Sequence, residues 1–158
     1  VRTNKKTIIW ISNTDLNILK EDLHKWDPYE TGGVLMGYWN MNQAVITEII
    51  DGGPDATRTK TSFNPDHDYQ LEEISRIYFL SGRTETYLGD WHTHPGGSAY
   101  LSERDKKTLS KIAEFKKTGQ PKPLMMVFGT KPAEIRVWYA RQTLLRKSLV
   151  ELNYKVFD

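Results

Sequence analysis

Apolar residues along the chain fall alternately into short continuous runs and into stripes spaced by three or four, a signature of strands interleaved with helices. The run "TIIWIS" (7–12) reads as a buried strand. Ser12, Asn13 or Thr14 then caps a helix in which Leu16, Leu19 and Leu23 share a face, ending near Trp26-Asp27-Pro28. "GGVLMGYW" (32–39) and "QAVITEII" (43–50) predict two strands joined by the polar turn Asn40-Met41-Asn42. Residues 51–65, rich in Gly, Pro and Thr, read as a loop. Pro65 or Asp66 opens a second helix carrying Tyr69, Ile74, Ile77 and Tyr78 on or near its apolar face, stopped at Gly82. "TYLGDWH" (86–92) is a strand. A third helix is expected from about Ser102 to Lys117, with Leu109, Ile112 and Ala113 inward and lysines outward. "PLMMVFG" (123–129) and "EIRVWYA" (134–140) are strands, and the tail "LLRKSLVELNYKVF" fits a helix or a strand. Interleaving of this kind gives a single α+β, or mixed α/β, domain over residues 1–158.

Composition narrows the picture modestly. A chain of 158 residues is long enough to bury a core without covalent staples. Lys plus Arg number 22 against 20 Asp plus Glu, interleaved, so no basic face points to nucleic acid. The chain has no cysteine, which removes disulfides, thiolate metal sites and a Cys nucleophile together, and fits a cytoplasmic location. No apolar run reaches membrane-spanning length, and "VRTNKKTIIW" lacks the apolar core and small-residue cleavage site of a secretory signal.

The chemistry gathers in "GDWHTHPGGSAYLSERD" (89–105). Residues i and i+2 of a strand face the same side, so His92 and His94 aim both imidazoles at one point. Pro95, Gly96 and Gly97 reverse the chain, and Asp105, in the first turn of the third helix, can swing its carboxylate back towards them. Two imidazoles and one carboxylate are the ligand set of a catalytic zinc site that keeps a fourth position for water. Fe(II) and Co(II) suit such donors as well. Bound zinc lowers the pKa of water from about 15.7 to about 7, on the order of 12 kcal/mol towards hydroxide. A hydrolase then still needs a base. Glu30 stands in a distinctive setting for one, in "YETGGVLMG" before Gly32 and Gly33, where absent side chains let backbone approach closely.

Taken together, "ETGGVLMG", "HTHP", six further residues, Ser102 and Asp105 resemble the JAB/MPN/JAMM metalloprotease family, in order and spacing, over nearly the whole chain. The resemblance implies a JAB/MPN-like domain with a central, mostly antiparallel sheet flanked by helices. It implies Glu30 as general acid/base, His92, His94 and Asp105 as zinc ligands, and Ser102 as hydrogen-bond donor to the tetrahedral intermediate. The wider stretch "YLGDWHTHPGG" looks most like the prokaryotic JAB-type isopeptidases encoded beside E1/E2-like conjugating proteins in cyclic-oligonucleotide (CBASS) and ubiquitin-like anti-phage operons. That resemblance implies, as substrate, the C-terminal tail of a ubiquitin-like or conjugated protein, such as a CBASS nucleotidyltransferase, joined to a lysine. Nucleic acid and membrane are not expected partners. A ubiquitin-like tail is expected to bind extended, by pairing with an edge strand.

Several residues have plainer readings. Ser102-x-x-Asp105 is also a capping-box-like helix start, and both roles are compatible. His24 reads as complementing a helix dipole and His67 as opening the second helix. Asp90 reads as a strand-surface carboxylate, with orientation of an imidazole as the alternative. Trp39, Trp91 and Trp138 read as core, and the loop 51–65 as exposed or as an approach to the substrate. Two other functions compete: a non-catalytic MPN-type scaffold, whose ligands would be lost, and a RadC-like protein associated with DNA. A zinc nucleobase deaminase is poorly supported, since its site needs His-x-Glu and a Cys pair and the chain has no Cys.

Overall fold

A computed structural model describes residues 6–114, 122–142, 145 and 147–158. Strand β1 (Ile8–Ser12) leads directly into helix α1 (Asn13–Trp26), whose first turn is capped by Ser12 Oγ accepting from the Asp15 amide at 2.9 Å. Strands β2 (Gly32–Asn40) and β3 (Gln43–Ile50) form the expected hairpin. Helix α2 (His67–Leu80) is capped by Asp66, and β6 (Thr86–His94) follows it. Helix α3 (Glu103–Glu114) precedes β7 (Leu124–Thr130) and β8 (Ala133–Gln142). The third helix was expected to reach Lys117; residues 115–117 lie outside the described residues.

The tail, which fitted either a helix or a strand, forms strand β9 (Lys147–Phe157). Leu152 and Tyr154 point into the core while Glu151, Asn153 and Lys155 alternate with them, a period of two. β9 pairs antiparallel with β8 and parallel with β1, and this closes the sheet into a barrel in the order β1-β3-β2-β6-β7-β8-β9. The antiparallel ladders are β2–β3, β2–β6, β7–β8 and β8–β9; β1–β3, β1–β9 and β6–β7 run parallel. The sheet is therefore mostly antiparallel and flanked by helices, as expected. Its closure was not legible in the sequence.

Each strand divides its residues between two sides. The inner faces, including Ile9, Ile11, Leu35, Ile46, Trp91, Met126 and Leu152, form one core with the leucine stripe of α1. On the outer side, Leu109 of α3 packs on Met125, Val127 and Ala140, and Ile77 of α2 on Val34, Met36 and Ile50. β7 is buried on both faces, by the barrel core on one and by α3 on the other, which explains why "LMMVF" is an unbroken apolar run rather than an alternating one. Strand β6 crosses the gap between α2 and α3, so outward residues of β6 look into a cleft.

The loop 51–65 is more ordered than its composition suggested. It contains a small antiparallel ribbon, β4 (Thr57–Arg58) with β5 (Phe63–Asn64). Arg58 stacks over the Trp26 ring at 3.8 Å and donates to Thr31 Oγ1 at 3.1 Å, which in turn donates to Asp22 at 2.8 Å. One guanidinium thus ties the ribbon to α1 and to the entrance of β2.

Candidate metal centre

The register of β2 against β6 brings distant residues together. Gly32 faces His92, and Thr31 exchanges hydrogen bonds with Thr93: its amide donates to Thr93 Oγ1 at 3.0 Å, and the Thr93 amide donates to the Thr31 carbonyl at 2.9 Å. One step further along this antiparallel pairing, Glu30 comes alongside His94. Its amide donates to the Thr59 carbonyl at 2.8 Å, fixing it between β2 and the ribbon. A residue 62 positions from His92 in sequence is thereby a neighbour in space. The glycines do allow backbone to approach closely, and the backbone that approaches is that of the neighbouring strands. A Cβ on Gly33 would run into the Ile50 backbone and the Trp91 indole, and one on Gly32 into the Trp91 carbonyl and Phe63. They make room for neighbouring strands and the ribbon, and so set where Glu30 lies.

His92 and His94 point out of β6 on the same side, with Nε2 atoms 3.0 Å apart. Asp105 reaches them from α3, Oδ1 at 3.2 Å from His92 Nε2 and Oδ2 at 3.2 Å from His94 Nε2. Two bare imidazole nitrogens this close repel unless a proton or a cation lies between them. A tetrahedral ion with bonds of about 2.0–2.1 Å has ligand–ligand edges of about 3.3 Å, so the triangle has the dimensions of three ligands around one ion. The His94 tautomer suits that role. Its Nδ1 lies 2.8 Å from the Ser98 carbonyl and donates to it, which leaves the Nε2 lone pair facing the cluster. The donor set, nitrogen and carboxylate oxygen without sulfur, fits a borderline divalent cation.

Asp105 carries two duties. Its Oδ2 accepts from the Ser102 amide at 2.8 Å, and its own amide donates to Ser102 Oγ at 3.1 Å, a reciprocal capping box. The cap holds the first turn of α3 so that the same carboxylate meets the histidines. Ser102 Oγ accepts that amide with a lone pair, leaving its proton to donate into the cleft it lines.

The charges are mutually adjusted. Burial works against the Asp105 anion, but hydrogen bonds from His92, His94 and Ser102 outweigh it and hold the carboxyl far below the usual range. Burial likewise works against a charged His94, and its bonds to Asp105 and the Ser98 carbonyl reverse that and raise it. Glu30 goes the other way: burial raises it above the ordinary glutamate value of 4.5, partly offset by His92, His94 and Arg104.

The cleft has a volume of about 1140 Å³ and extends well past the metal triangle, between α2 and α3. Here Asp90 requires a correction. It does not stand on an open strand surface: it is half-buried on the cleft floor, and burial lifts its pKa from 3.8 to about 6. Alternation along β6 puts Asp90 on the side of His92 and His94, and a bulge brings Tyr87 round to it. The β2–β6 register slips where Leu35 faces Gly89 and Met36 faces Tyr87, so Tyr87 and Asp90, of opposite parity, share the outer face. Tyr87 Oη donates to Asp90 Oδ1 at 3.1 Å. Gly89, mid-strand, was the signal in the sequence for this bulge. His67 lines the same cleft from α2, whereas His24 lies exposed in the last turn of α1. Trp91 is core, with Nε1 donating to the Ile50 carbonyl at 3.1 Å, and Trp39 and Trp138 pack at the edges of the two cores.

Residues 16–141 match the family described as prokaryotic homologs of the JAB domain. The chain belongs to that family. The probable metalloprotease y4qB of Sinorhizobium fredii is 43% identical over 122 residues, 76% of this chain and 74% of that protein. A protein of Enterobacter hormaechei named CD-NTase/cGAS isopeptidase is 31% identical over 132 residues, 80% of this chain and 69% of its own. The solution structure of a Desulfitobacterium hafniense protein superposes with a TM-score of 0.72 at 14% identity, covering 95% of this chain and 93% of that one, a likeness of fold. Relatives named as metalloprotease and isopeptidase place this JAB domain among hydrolases, with a His-His-Asp cluster of metal-binding dimensions. No helix among its described residues is long and apolar enough to cross a membrane.

Proposed function

We propose that this JAB domain is a zinc-dependent isopeptidase or peptidase of the JAMM type, a cytoplasmic enzyme that hydrolyses the amide between the C-terminus of a ubiquitin-like or conjugated protein and its target lysine. The observation that carries the reading is the convergence of His92, His94 and Asp105 beside Glu30 at one end of an open cleft. His92 Nε2, His94 Nε2 and an Asp105 oxygen hold the cation. When bound, zinc supplies Lewis acidity, acidifying water and polarising the scissile carbonyl. Glu30 accepts the proton of the attacking water on a carboxylate oxygen and passes it to the departing amine nitrogen, so that water and amide become carboxylate and amine. Its raised pKa suits a group that must hold that proton in transit. Ser102 Oγ–H donates to the oxygen that gains charge as the carbonyl is attacked.

The name CD-NTase/cGAS isopeptidase, borne by relatives at about 30% identity, supports a conjugated nucleotidyltransferase as substrate and a CBASS-type anti-phage setting, with an E1/E2-like conjugation system as partner. The β4–β5 ribbon, held beside Glu30 through the Glu30–Thr59 hydrogen bond, offers an extended tail an edge for pairing next to the metal triangle. The test is elemental analysis for zinc followed by incubation of wild type, chelated protein and Glu30→Gln with such conjugates. Wild type is expected to cut the isopeptide bond, chelated protein not to, and Glu30→Gln to keep zinc while losing about 10²–10⁴ in turnover. Zinc-free wild type, inert towards every conjugate, would instead identify an MPN-type scaffold.

A further inference from the structure

The cleft is longer than hydrolysis at the metal triangle requires, and its far half is built differently. Val34, Ile74, Ile112 and Met125 wall it, and the Tyr87–Asp90 pair floors it. Tyr87 occupies one oxygen of the Asp90 carboxylate, at 3.1 Å, and the carboxylate lines the cavity. The phenol is half-buried and its pKa displaced far upwards by burial and by the Asp90 carboxylate, so it remains a donor to Asp90. The groups acting electrostatically on Asp90 are Tyr87 on its own strand, His92, and His67 on α2. Among the described residues that line the cleft, the charged side chains besides histidine are Glu30, Asp90, Glu103 and Asp105 against Arg104, an excess of negative charge.

A half-buried carboxylate on the floor of a cleft with apolar walls is complementary to a long aliphatic stem that ends in a cation. The geometry points to a side-chain subsite for a lysine or arginine of the substrate, with the stem along Val34, Ile74, Ile112 and Met125 and the cationic head on Asp90. Its position fixes which residue enters. Asp90 is two residues from His92 on one strand, about 7 Å along it. A lysine side chain spans a comparable length, so the residue served lies within about two positions of the scissile bond. Asp90 and Tyr87 thereby act in specificity, and this rests on the hydrolase reading above.

The test separates binding from turnover. Zinc-loaded protein is titrated with n-hexylamine and with 1-hexanol, which share a stem and differ in charge, and followed by NMR. The amine is expected to bind more tightly, shifting the amides of Asp90 and Ile74. Asp90→Asn should weaken the amine about tenfold, the worth of one charge-assisted hydrogen bond, and leave hexanol unchanged. Glu103→Gln should leave both unchanged. Equal affinity for amine and alcohol in wild type overturns the subsite without recourse to any variant, as does weakening by Glu103→Gln in place of Asp90→Asn. Internally quenched peptides varied through Lys, Arg, norleucine and Glu near the cut then read specificity. Wild type should prefer Lys or Arg at one position by about tenfold in kcat/KM, carried by KM and lost in Asp90→Asn. Cleavage without that preference overturns the subsite, whereas amine binding in a protein that cuts nothing upholds it and overturns the hydrolase reading.

Discussion

Each side chain at this centre is held in a protonation state by its neighbours, and those states make the chemistry testable by pH. Burial raises Glu30 above 4.5, so the base is lost as pH falls through a value higher than that of an ordinary glutamate. In metal-free protein the Glu30 carboxyl, followed by NMR, is therefore expected to titrate above 4.5, and a value at or below that would show that burial does not prepare Glu30 to hold a proton. Asp90 gives a second pH signature, in stability. Its folded pKa of about 6 exceeds the unfolded 3.8, so the fold binds its proton more tightly and loses stability as pH rises between those values. The displacement corresponds to at most about 3 kcal/mol, a cost present in full above pH 6 and absent below 3.8. Asp90→Asn should accordingly raise the stability of chelated protein by about 2–3 kcal/mol near pH 8 and by nothing near pH 3.5. Denaturant unfolding at the two pH values checks it. A carboxylate that costs stability where it stands is the expected mark of a functional position rather than of packing.

At the scale of the elements, the capping box at the start of α3 and the guanidinium strut under the ribbon decide whether these groups meet. Ser102→Ala removes the acceptor for the Asp105 amide and should cost about 0.5–2 kcal/mol while leaving zinc stoichiometry intact. Asp105→Ala removes cap and ligand together. Should it bind zinc as wild type does, the carboxylate is a cap and nothing more. Arg58→Ala takes away the stack on Trp26 and the bond to Thr31, so it should cost about 1–2 kcal/mol and open the ribbon to proteolysis near residues 59–62, with zinc retained. Limited digestion followed by mass spectrometry would show it. The two devices differ in how far the sequence revealed them. Ser102-x-x-Asp105 is local, its partners three residues apart, and was readable as both cap and ligand. Arg58 acts on Trp26 and Thr31 across more than one element, and no spacing within the loop announces that. Asp90 was misread for a related reason: alternation along β6 already puts it on the side of His92 and His94, but the residues of α2 and α3 that wall that side come from distant segments.

For the molecule as a whole, the order of strands and helices was legible because hydrophobic period and caps are local, while barrel closure depends on a ladder between β1 and β9, at opposite ends of the chain. The tail shows the difference. Its apolar residues suit a helix or a strand when read alone, and only the vacant edges of β1 and β8 select the strand. Closure also bears on the metal centre. His92 and His94 belong to β6, whose neighbours β2 and β7 are bound in turn to β3 and β8, so the two imidazoles stand on an interior strand rather than on an edge that frays. Opening that ring at β9 should loosen all of it. Truncation before Lys147 removes the ladders to β1 and β8 and uncovers the inner face around Leu152 and Tyr154. The truncated chain is expected to lose at least about 3 kcal/mol, on the order of 10 °C in Tm, and to associate through the two edges it exposes. Zinc affinity should fall in parallel, although no ligand is deleted, because the triangle's dimensions are set by the register of strands rather than by the loop between them. Scanning calorimetry, light scattering and zinc titration on the truncated and full chains decide the matter: a monomeric, cooperatively melting truncation with undiminished zinc affinity would show that the site is held locally, by the His94–Ser98 turn and the α3 cap alone.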